Sequence, residues 1–600
     1  MNAAPDELDR RHCREGIATS IRMHAAAGAR HDEAQAGKLY RIVSLNVGYG
    51  GLGSTEDFFM DGGTRVLPKD KAEVQDNLTG LLSALSLQAP DICFLQEVDT
   101  DSDRSYHVNQ RSLITDAFPA GERGRALGMV IMLFGLTMLA PLILSYVVDD
   151  GAQAAYDEAF GLTMLSGLFL WYRYRRCKRE LAIRDGFLMV VLVWTVLPAF
   201  AALPYMLQLG LSHTDAYFEA VSGLTATGAT VLSGLDALPM SINLWRHLTM
   251  WFGGMGLIVL AVAILPLLGI GGRQMLLAEV PGPMKDTRMT PRIAETAKGL
   301  WLVYIGITVL CILAYRWAGM GWFDAVCHTF STVSLGGFST HDASIGHFAS
   351  AQVEYVAIFF MLFSGINYAT HFLALSGRSL RSYLHDVEAA WFVGILLLSA
   401  VIIAHYIWKD GVFQDMDHAF RNALFHVISV ATTTGYATTD YGQWPMFAAL
   451  WMLFLCSFAT SAGSTGGGIK MVRALLLYKQ VYRELLRAMH PSAIYHVRVG
   501  GKVATQPLLF AVLAFGFIYM VCIVSLTLVM SFTGLDIVTA FSAVVASINN
   551  TGPGLGQVGP STTYAVLEDF QTWICIFAML LGRLEIFTLL VVMTPAFWRK

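Results

Sequence analysis

The sequence has few charged residues for its length. Asp, Glu, Lys and Arg make up only 14% of its 600 residues, whereas 55% are hydrophobic and the mean hydropathy is +0.52. Soluble domains carry about 25% charged residues, so this composition excludes an ordinary soluble protein and predicts a polytopic membrane protein. The net charge of −4 says little about partners, and we expect no nucleic acid among them.

Paired cysteines and a signal peptide are also missing. The eight cysteines are scattered and form no C-x-x-C pair, which argues against a disulfide framework and a zinc site of that type. The amino terminus has no signal-peptide pattern. Before residue 121, no apolar run is long enough to span a bilayer.

The first 120 residues differ from the rest of the chain. Residues 1–38 are polar and rich in alanine, and we predict that they are disordered. Residues 40–47 and 91–98 are predicted strands on either side of an amphipathic helix near 74–87, in β-α-β order.

Segment 39–120 resembles the opening of the endonuclease/exonuclease/phosphatase superfamily. The resemblance rests on Ser44-Leu45-Asn46 and on Leu95-Gln96-Glu97-Val98-Asp99. It implies that Asn46 and Glu97 are remnants of a divalent-metal site, since amide and carboxylate oxygens suit magnesium. The family's later G-D-x-N and S-D-H motifs are absent. We therefore expect a truncated, inactive fragment, and keep a membrane-tethered metal-dependent phosphoesterase as the alternative function.

Residues 121–600 form the predicted membrane domain. Two apolar runs, Ala126–Val148 and Ala154–Tyr172, come first, each close to the ~20 residues that a spanning helix needs. Four cycles of helix, half-helix, glycine-containing strand and helix follow. The predicted fold is an all-α polytopic membrane protein with two extra amino-terminal helices, four helix–pore-loop–helix repeats with pseudo-fourfold symmetry, and a small incomplete α/β fragment before them. The eight predicted helices of the cycles are Phe187–Leu207 and Leu244–Leu268, Leu300–Ala318 and Val353–Leu375, Ala390–Trp408 and Pro445–Ser461, and Pro507–Phe532 and Thr572–Pro595.

The glycine-containing strands are predicted to surround one axis as a cation-selective filter. Backbone carbonyls can replace the hydration shell of a cation, and glycine permits the positive φ that lets successive carbonyls point the same way. An acid begins each half-helix, where it suits the positive end of the helix dipole and can cap free N–H groups. These acids are Asp215, Asp324, Asp417 and Asp536. The predicted filter segments, one to four, are Ala226-Thr227-Gly228, Leu335-Gly336-Gly337, Thr433-Thr434-Gly435 and Asn550-Thr551-Gly552.

A second glycine-rich stretch is the predicted gate. It consists of Gly463, Ser464, Thr465, Gly466, Gly467 and Gly468. Four glycines in six residues disfavour a helix, and non-helical backbone at membrane depth must be buried in protein or line a cavity. Arg583, near the middle of the last predicted helix, is expected to reach toward this loop.

The basic residues predict the orientation. They concentrate in three segments, 173–184, 273–298 and 470–502, whereas 337–355 and 531–571 have none. By the positive-inside rule, the filter mouth faces outward and the amino terminus is cytoplasmic.

Residues 122–600 resemble the membrane subunit of Trk-type potassium uptake systems (TrkH-like), within the Trk/Ktr/HKT superfamily. The resemblance rests on Ser222–Thr230, Trp251–Gly256, Thr290–Lys298, Gly336–Ser344, Ala462–Lys470, Asn549–Gly556 and Gly582–Glu585. It implies potassium transport across the bacterial inner membrane by a homodimer with one pore per protomer. It also implies a cytoplasmic nucleotide-binding regulatory partner of the Trk-A type, for which the basic segments are possible docking sites. We expect potassium as the transported ion, no organic cofactor and no enzymatic activity. Channel-like and ion-coupled transport both remain open.

Overall fold

The computed structural model describes residues 121–175, 183–256 and 293–598, apart from 494 and 501, together with 42–46, 92–96 and short pieces of 74–79. The predicted disorder of residues 1–38 and the predicted metal ligand Glu97 fall outside this set. So does the basic segment 273–292. The chain divides into two compact units, Met1–Gly121 with Lys600, and Glu122–Arg599.

The described part of the first unit contains two strands. Ile42–Asn46 pairs in parallel with Ile92–Gln96, so that Asn46 lies opposite Gln96. A helical piece lies between them in sequence, with Val74 and Leu78 buried. Two parallel strands need a crossover connection, and the predicted β-α-β order is therefore present in these pieces.

The second unit is built from helices in the predicted order. Two helical segments come first, and each of the four cycles places a pore helix of 12–16 residues between two other helices. Among the described residues, five helices are long and apolar enough to cross a membrane, or seven if each of two bent pairs is one span. The opening segments are Gly121–Thr137 with Leu139–Val148, and Gln153–Tyr174.

The helices of cycles one and two are Ile183–Ala201, Leu203–Leu209, pore helix His213–Leu224 and Met240–Trp251, then Ile293–Trp317, pore helix Trp322–Ser334, Ala351–Ser364, Tyr368–Ser376 and Arg381–His385. Those of cycles three and four are Val387–Lys409, pore helix Met416–Ala431, Met446–Cys456 and Met471–Met489, then Gln506–Phe532, pore helix Ile537–Ile548, Asp569–Arg583, Phe587–Met593 and Pro595–Trp598. A small hairpin pairs Arg498–Val499 with Lys502–Val503.

Two predicted spans are broken, so the prediction of continuous helices there was wrong. The span predicted over 353–375 bends by 89° between Ser364 and Tyr368. Asn367 starts the new helix, because its side chain accepts a hydrogen bond from the Ala369 N–H at 2.9 Å. The span predicted over 572–595 bends by 114°. Arg583 is consequently the last residue of its helix, and not near the middle of one.

The second unit buries polar side chains and exposes apolar ones. Thr227, Thr434 and Thr551 have no exposed surface, whereas Leu302 and Phe517 are each 72% exposed. A soluble protein shows the opposite distribution. Exposed apolar side chains on membrane-length helices are the surface that a lipid bilayer covers.

Candidate ion-conduction site

Each filter segment begins with the same turn at the end of a pore helix. Its first residue has a left-handed backbone, with φ of 53° at Ala226, 57° at Leu335, 62° at Thr433 and 55° at Asn550. The N–H of the following residue donates to the carbonyl five residues earlier, from Thr227 to Ser222, Gly336 to Ser331, Thr434 to Ser429 and Thr551 to Ala546, at 2.8–2.9 Å. This hydrogen bond is that of a Schellman motif. The motif ends each pore helix and directs the chain into the filter.

The central glycines adopt a second left-handed conformation. The φ values are 85° at Gly228, 76° at Gly337, 84° at Gly435 and 90° at Gly552. Glycine adopts such values without the steric cost that a Cβ atom brings. The four segments thus share one backbone pattern, with left-handed residues at the first and third positions.

Contacts between glycines and carbonyls arrange the four segments in a ring. A Cβ added to Gly228 would lie 2.1 Å from the Gly336 oxygen, and one added to Gly337 would lie 1.9 Å from the Thr434 oxygen. The same construction on Gly435 meets the Thr551 oxygen at 2.2 Å. On Gly552 it meets the Thr227 oxygen at 2.7 Å, which closes the circle. The order is one, two, three, four around a single axis.

Side chains behind the ring hold it in register. The Asn550 amide donates to the Thr227 hydroxyl at 2.9 Å and joins segment four to segment one. The Tyr564 hydroxyl donates to the Gly552 carbonyl at 2.8 Å. Both hydrogen bonds are buried, so each group depends on its protein partner because water is excluded.

The acids at the pore-helix starts do not all act as predicted. Only Asp536 is an N-cap, accepting from the Thr539 N–H at 2.9 Å. Asp215 lies in the first turn, and the N-cap there is Ser212. Asp324 and Asp417 also lie in first turns, where a negative charge still favours the helix dipole. The prediction of a shared capping role was wrong for these three.

The predicted gate loop is non-helical and lies against the carboxyl-terminal ends of three pore helices. The Thr465 hydroxyl donates to the Val333 carbonyl at 3.1 Å, and the Gly467 N–H donates to the Thr433 hydroxyl at 2.9 Å. A Cβ on Gly467 would lie only 1.9 Å from the Asn549 oxygen. The glycines are required because the loop packs this closely on the backbone beside the filter.

Arg583 contacts this loop. Its Nη1 donates to the Thr465 carbonyl at 3.2 Å, and its Nη2 donates to the carbonyls of Gly253 and Gly254. The guanidinium also lies 5.4 Å from the Trp194 ring centroid. Arg583 therefore connects the loop of cycle three to the backbone of Gly253 and Gly254 in cycle one.

Two features at this level were not predicted from the sequence. Gly253 and Gly254 are partners of Arg583 only because a π-helical turn, Phe252–Gly256, exposes their carbonyls. Glu388 accepts a hydrogen bond from the Ala462 N–H at 2.8 Å, immediately before the loop. A glycine pair that follows an apolar helix is the one sequence signal that was available.

The basic segment at 470–502 is largely helical and is not a plain loop. Lys470 is buried and donates to the Gly466 carbonyl, while Arg473 forms an ion pair with Glu585 at 2.6 Å. Lys470 and Arg473 therefore link the start of this helix to the loop Gly463–Gly468 and to Glu585. The remaining basic residues of the segment, such as Lys479 and Arg487, lie farther along the helix and hairpin.

Comparison with known proteins identifies the family. Residues 154–600 match the TrkH family, described as cation transport proteins. This chain belongs to that family. The Trk system potassium uptake protein TrkH of Salmonella typhimurium is 47% identical over 479 residues, covering 79% of this chain and 99% of the relative. TrkG of Escherichia coli is 38% identical over 475 residues, covering 79% and 97%. The crystal structure of the potassium transporter TrkH from Vibrio parahaemolyticus matches with a TM-score of 0.73 and 43% identity, over 80% of this chain and all of that one.

Membership of the TrkH family and the spanning helices make this a multi-pass membrane protein of a transporter family. The architecture predicted from the sequence, helical with four pore-loop cycles, is confirmed by the match to the solved TrkH structure.

Proposed function

We propose that this chain carries out potassium uptake across the bacterial inner membrane through the ring of four filter segments. The observation that carries the proposal is the closed order of glycine-to-carbonyl contacts around one axis. The similar proteins are named as potassium uptake proteins of the Trk system.

Conduction in this proposal depends on backbone oxygens. The carbonyls of the filter segments, among them those of Thr227, Gly336, Thr434 and Thr551, replace the water shell of a potassium ion. The pore helices end at the filter, and their negative carboxyl-terminal dipoles favour a cation there. Potassium is the transported ion, and the proposal includes no organic cofactor.

The segment Gly463–Gly468 acts as the gate in this proposal. Its hydrogen bonds to Val333 and Thr433 place it at the pore-helix ends, and Arg583 holds it through the Thr465 carbonyl. Moving the loop away from these partners would open the path below the filter. Five guanidinium donors allow Arg583 to hold several carbonyls at once.

The assembly is proposed to be a homodimer that works with a cytoplasmic nucleotide-binding subunit of the Trk-A type. Arg487 and Arg498 are exposed basic residues of the segment 470–502, and they suit a cytoplasmic docking surface. The amino terminus is then cytoplasmic, in line with the positive-inside rule.

We propose that the whole chain has three parts. Residues 1–38 are disordered, and residues 39–120 are a truncated endonuclease/exonuclease/phosphatase-like fragment without activity. Residues 121–600 are the transporter. The parallel pairing of Ile42–Asn46 with Ile92–Gln96 supports an incomplete α/β fragment.

Growth rescue at low potassium tests the proposal. Cells without their own uptake systems are expected to grow when they express the full chain. A chain with the filter substitution Gly337→Val, made at equal membrane abundance, serves as the control and is expected to fail. Magnesium-dependent hydrolysis of phosphodiesters by the purified protein, without growth rescue, would favour the phosphoesterase alternative.

A further inference from the structure

The loops that follow filter segments one and two meet. The loop after filter segment one contains the short helical turn Leu235–Ala237, which carries Asp236. The loop after filter segment two carries His341 and, within the turn Ser344–Phe348, His347. These three side chains come together although 105 residues separate Asp236 from His341.

The three side chains offer metal-ligand atoms that converge. One ligand atom from each of Asp236, His341 and His347 lies within 4.8 Å of the others, and this is the one such cluster among the described residues. His341 Nδ1 contacts Asp236 Oδ1, and His347 Nδ1 lies 4.0 Å from the same oxygen. The two imidazole rings are parallel, with centroids 3.5 Å apart. Both Nδ1 atoms therefore approach one carboxylate from the same direction.

Two further carboxylates, of Asp324 and Asp342, lie beside the cluster. Asp324 Oδ1 lies 3.5 Å from His341 Nε2, on the opposite side of the ring from Asp236. A carboxylate at the second ring nitrogen of a histidine is typical of metal sites, because it fixes the tautomer and the ring orientation. Across the loops, Asp342 Oδ1 accepts from the Leu235 N–H at 3.2 Å.

We propose that Asp236, His341 and His347 bind a divalent first-row metal ion, of which Zn²⁺ is the best match. Two imidazoles and one carboxylate are a frequent ligand set for zinc, with water in the fourth position. Side-chain rotation can bring the ligand atoms to roughly 2.0–2.2 Å from the ion. Such rotation is available because the Asp236 and His347 side chains are 50% and 45% exposed.

Metal binding at this position is expected to slow conduction, and this second step rests on the proposed function. The backbone N–H of His341 donates to the Ser339 hydroxyl at 3.1 Å, and Ser339 follows Gly337 by two residues. A bound dication would join the loop of segment one to that of segment two and place positive charge near the filter mouth. The bound dication would repel a potassium ion that approaches the filter, and this repulsion is stronger where water is partly excluded.

Calorimetric titration of the purified full-length protein with ZnCl₂ tests binding. The parent is expected to bind one more zinc ion per chain than His347→Gln or Asp236→Asn. If the number of bound ions is equal, the parent is expected to bind zinc at least tenfold more tightly than either variant. His213→Gln is the matched control, because His213 is an exposed histidine that contacts Met206 and lies outside the cluster. Any metal bound by the amino-terminal residues is common to all of these proteins. Equal stoichiometry and affinity in the parent and both cluster variants would overturn the site.

Rubidium flux into proteoliposomes, with and without external Zn²⁺, tests the effect on conduction. Zinc is expected to reduce flux at least twofold in the parent and in His213→Gln, but not in His347→Gln. Zinc binding that depends on the cluster, without an effect on flux, would support the site and overturn its coupling to conduction. A parent that carries no rubidium at all contradicts the proposed function, and the calorimetric result would still decide the site.

Discussion

Arg246 and Glu219 form an ion pair in which both side chains are completely buried, with Nε 2.8 Å from Oε1. Arg246 also donates to the Ser339 carbonyl at 3.2 Å, and Glu219 accepts from the Val231 N–H at 3.1 Å. The pair thus connects the backbone that follows filter segment one to the backbone that follows segment two. A buried pair with this many hydrogen bonds satisfies charges that would otherwise lack water.

Removing one partner of this pair is expected to be strongly destabilising. In Arg246→Met, the Glu219 carboxylate would remain buried without its cation, at a cost of about 3–5 kcal/mol. The measurement is thermal unfolding of the purified protein in detergent. The expected result is a large fall in the unfolding temperature.

Two further variants separate loss of the pair from loss of packing. The double variant Arg246→Met with Glu219→Leu removes both charges and should recover part of the stability, since apolar residues often replace buried pairs well. Arg487→Met breaks an exposed pair with Glu484 and should leave unfolding nearly unchanged. A double variant no more stable than the single one would mean that the two charges are not coupled.

The four glycine-containing segments could be predicted from the sequence, but the groups that support their ring could not. The unit occurs four times in the sequence, so a glycine such as Gly228 could be identified because a glycine stands at the same position in the other three units. Arg246 and Glu219 are not part of a repeated pattern. Glu219 lies on the pore helix His213–Leu224 and Arg246 on the helix Met240–Trp251, and the sequence does not indicate that these two helices are in contact. Nothing in their spacing of 27 residues indicates a contact.

The predicted gate loop illustrates the same limit. Four glycines in Gly463–Gly468 predicted a loop, because glycine disfavours a helix wherever it lies. The carbonyls that Arg583 contacts at Gly253 and Gly254 are about 330 residues away in the chain. The bend after Arg583 also depends on tertiary packing, since its flanking residues read as one apolar run.

Gly228→Ser is expected to lower the preference for potassium over sodium. The new Cβ would lie 2.1 Å from the Gly336 carbonyl oxygen, well inside van der Waals contact, and the backbone has a φ of 85°. The carbonyl must therefore shift, which disturbs the ring that replaces the ion's hydration shell. The measurement is the permeability ratio from flux in proteoliposomes.

Gly210→Ser is the matched control for this substitution. Gly210 also has a positive φ, of 65°, but an added Cβ there meets nothing within 4 Å. It reproduces the backbone strain without touching the filter, so selectivity should be preserved. A permeability ratio that stays at the parent value in Gly228→Ser would show that this glycine does not shape the filter.

A chain that begins at Gly121 is expected to transport at least as well as the full chain. Met1–Gly121 and Glu122–Arg599 belong to two different compact units. The four filter segments and the gate loop all belong to the second unit. Growth at low potassium and membrane abundance should be measured together. Lost uptake at unchanged abundance would give the amino-terminal unit a role in transport.

Arg583→Ala is expected to raise the resting potassium flux, because the loop would lose the donor that holds its Thr465 carbonyl. Shortening the stretch Gly463–Gly468 by two residues should act in the same direction. Both changes should weaken the dependence on a regulatory partner, while selectivity should hold because the filter backbone is unchanged.

Arg583→Lys keeps the charge with fewer donors in a less rigid geometry, and an intermediate flux is expected from it. The measurement is flux into proteoliposomes that contain the membrane subunit alone, at equal protein incorporation. If the Arg583→Ala and shortened-loop variants both carry flux equal to or below the parent, the loop is structural packing and the gate lies elsewhere.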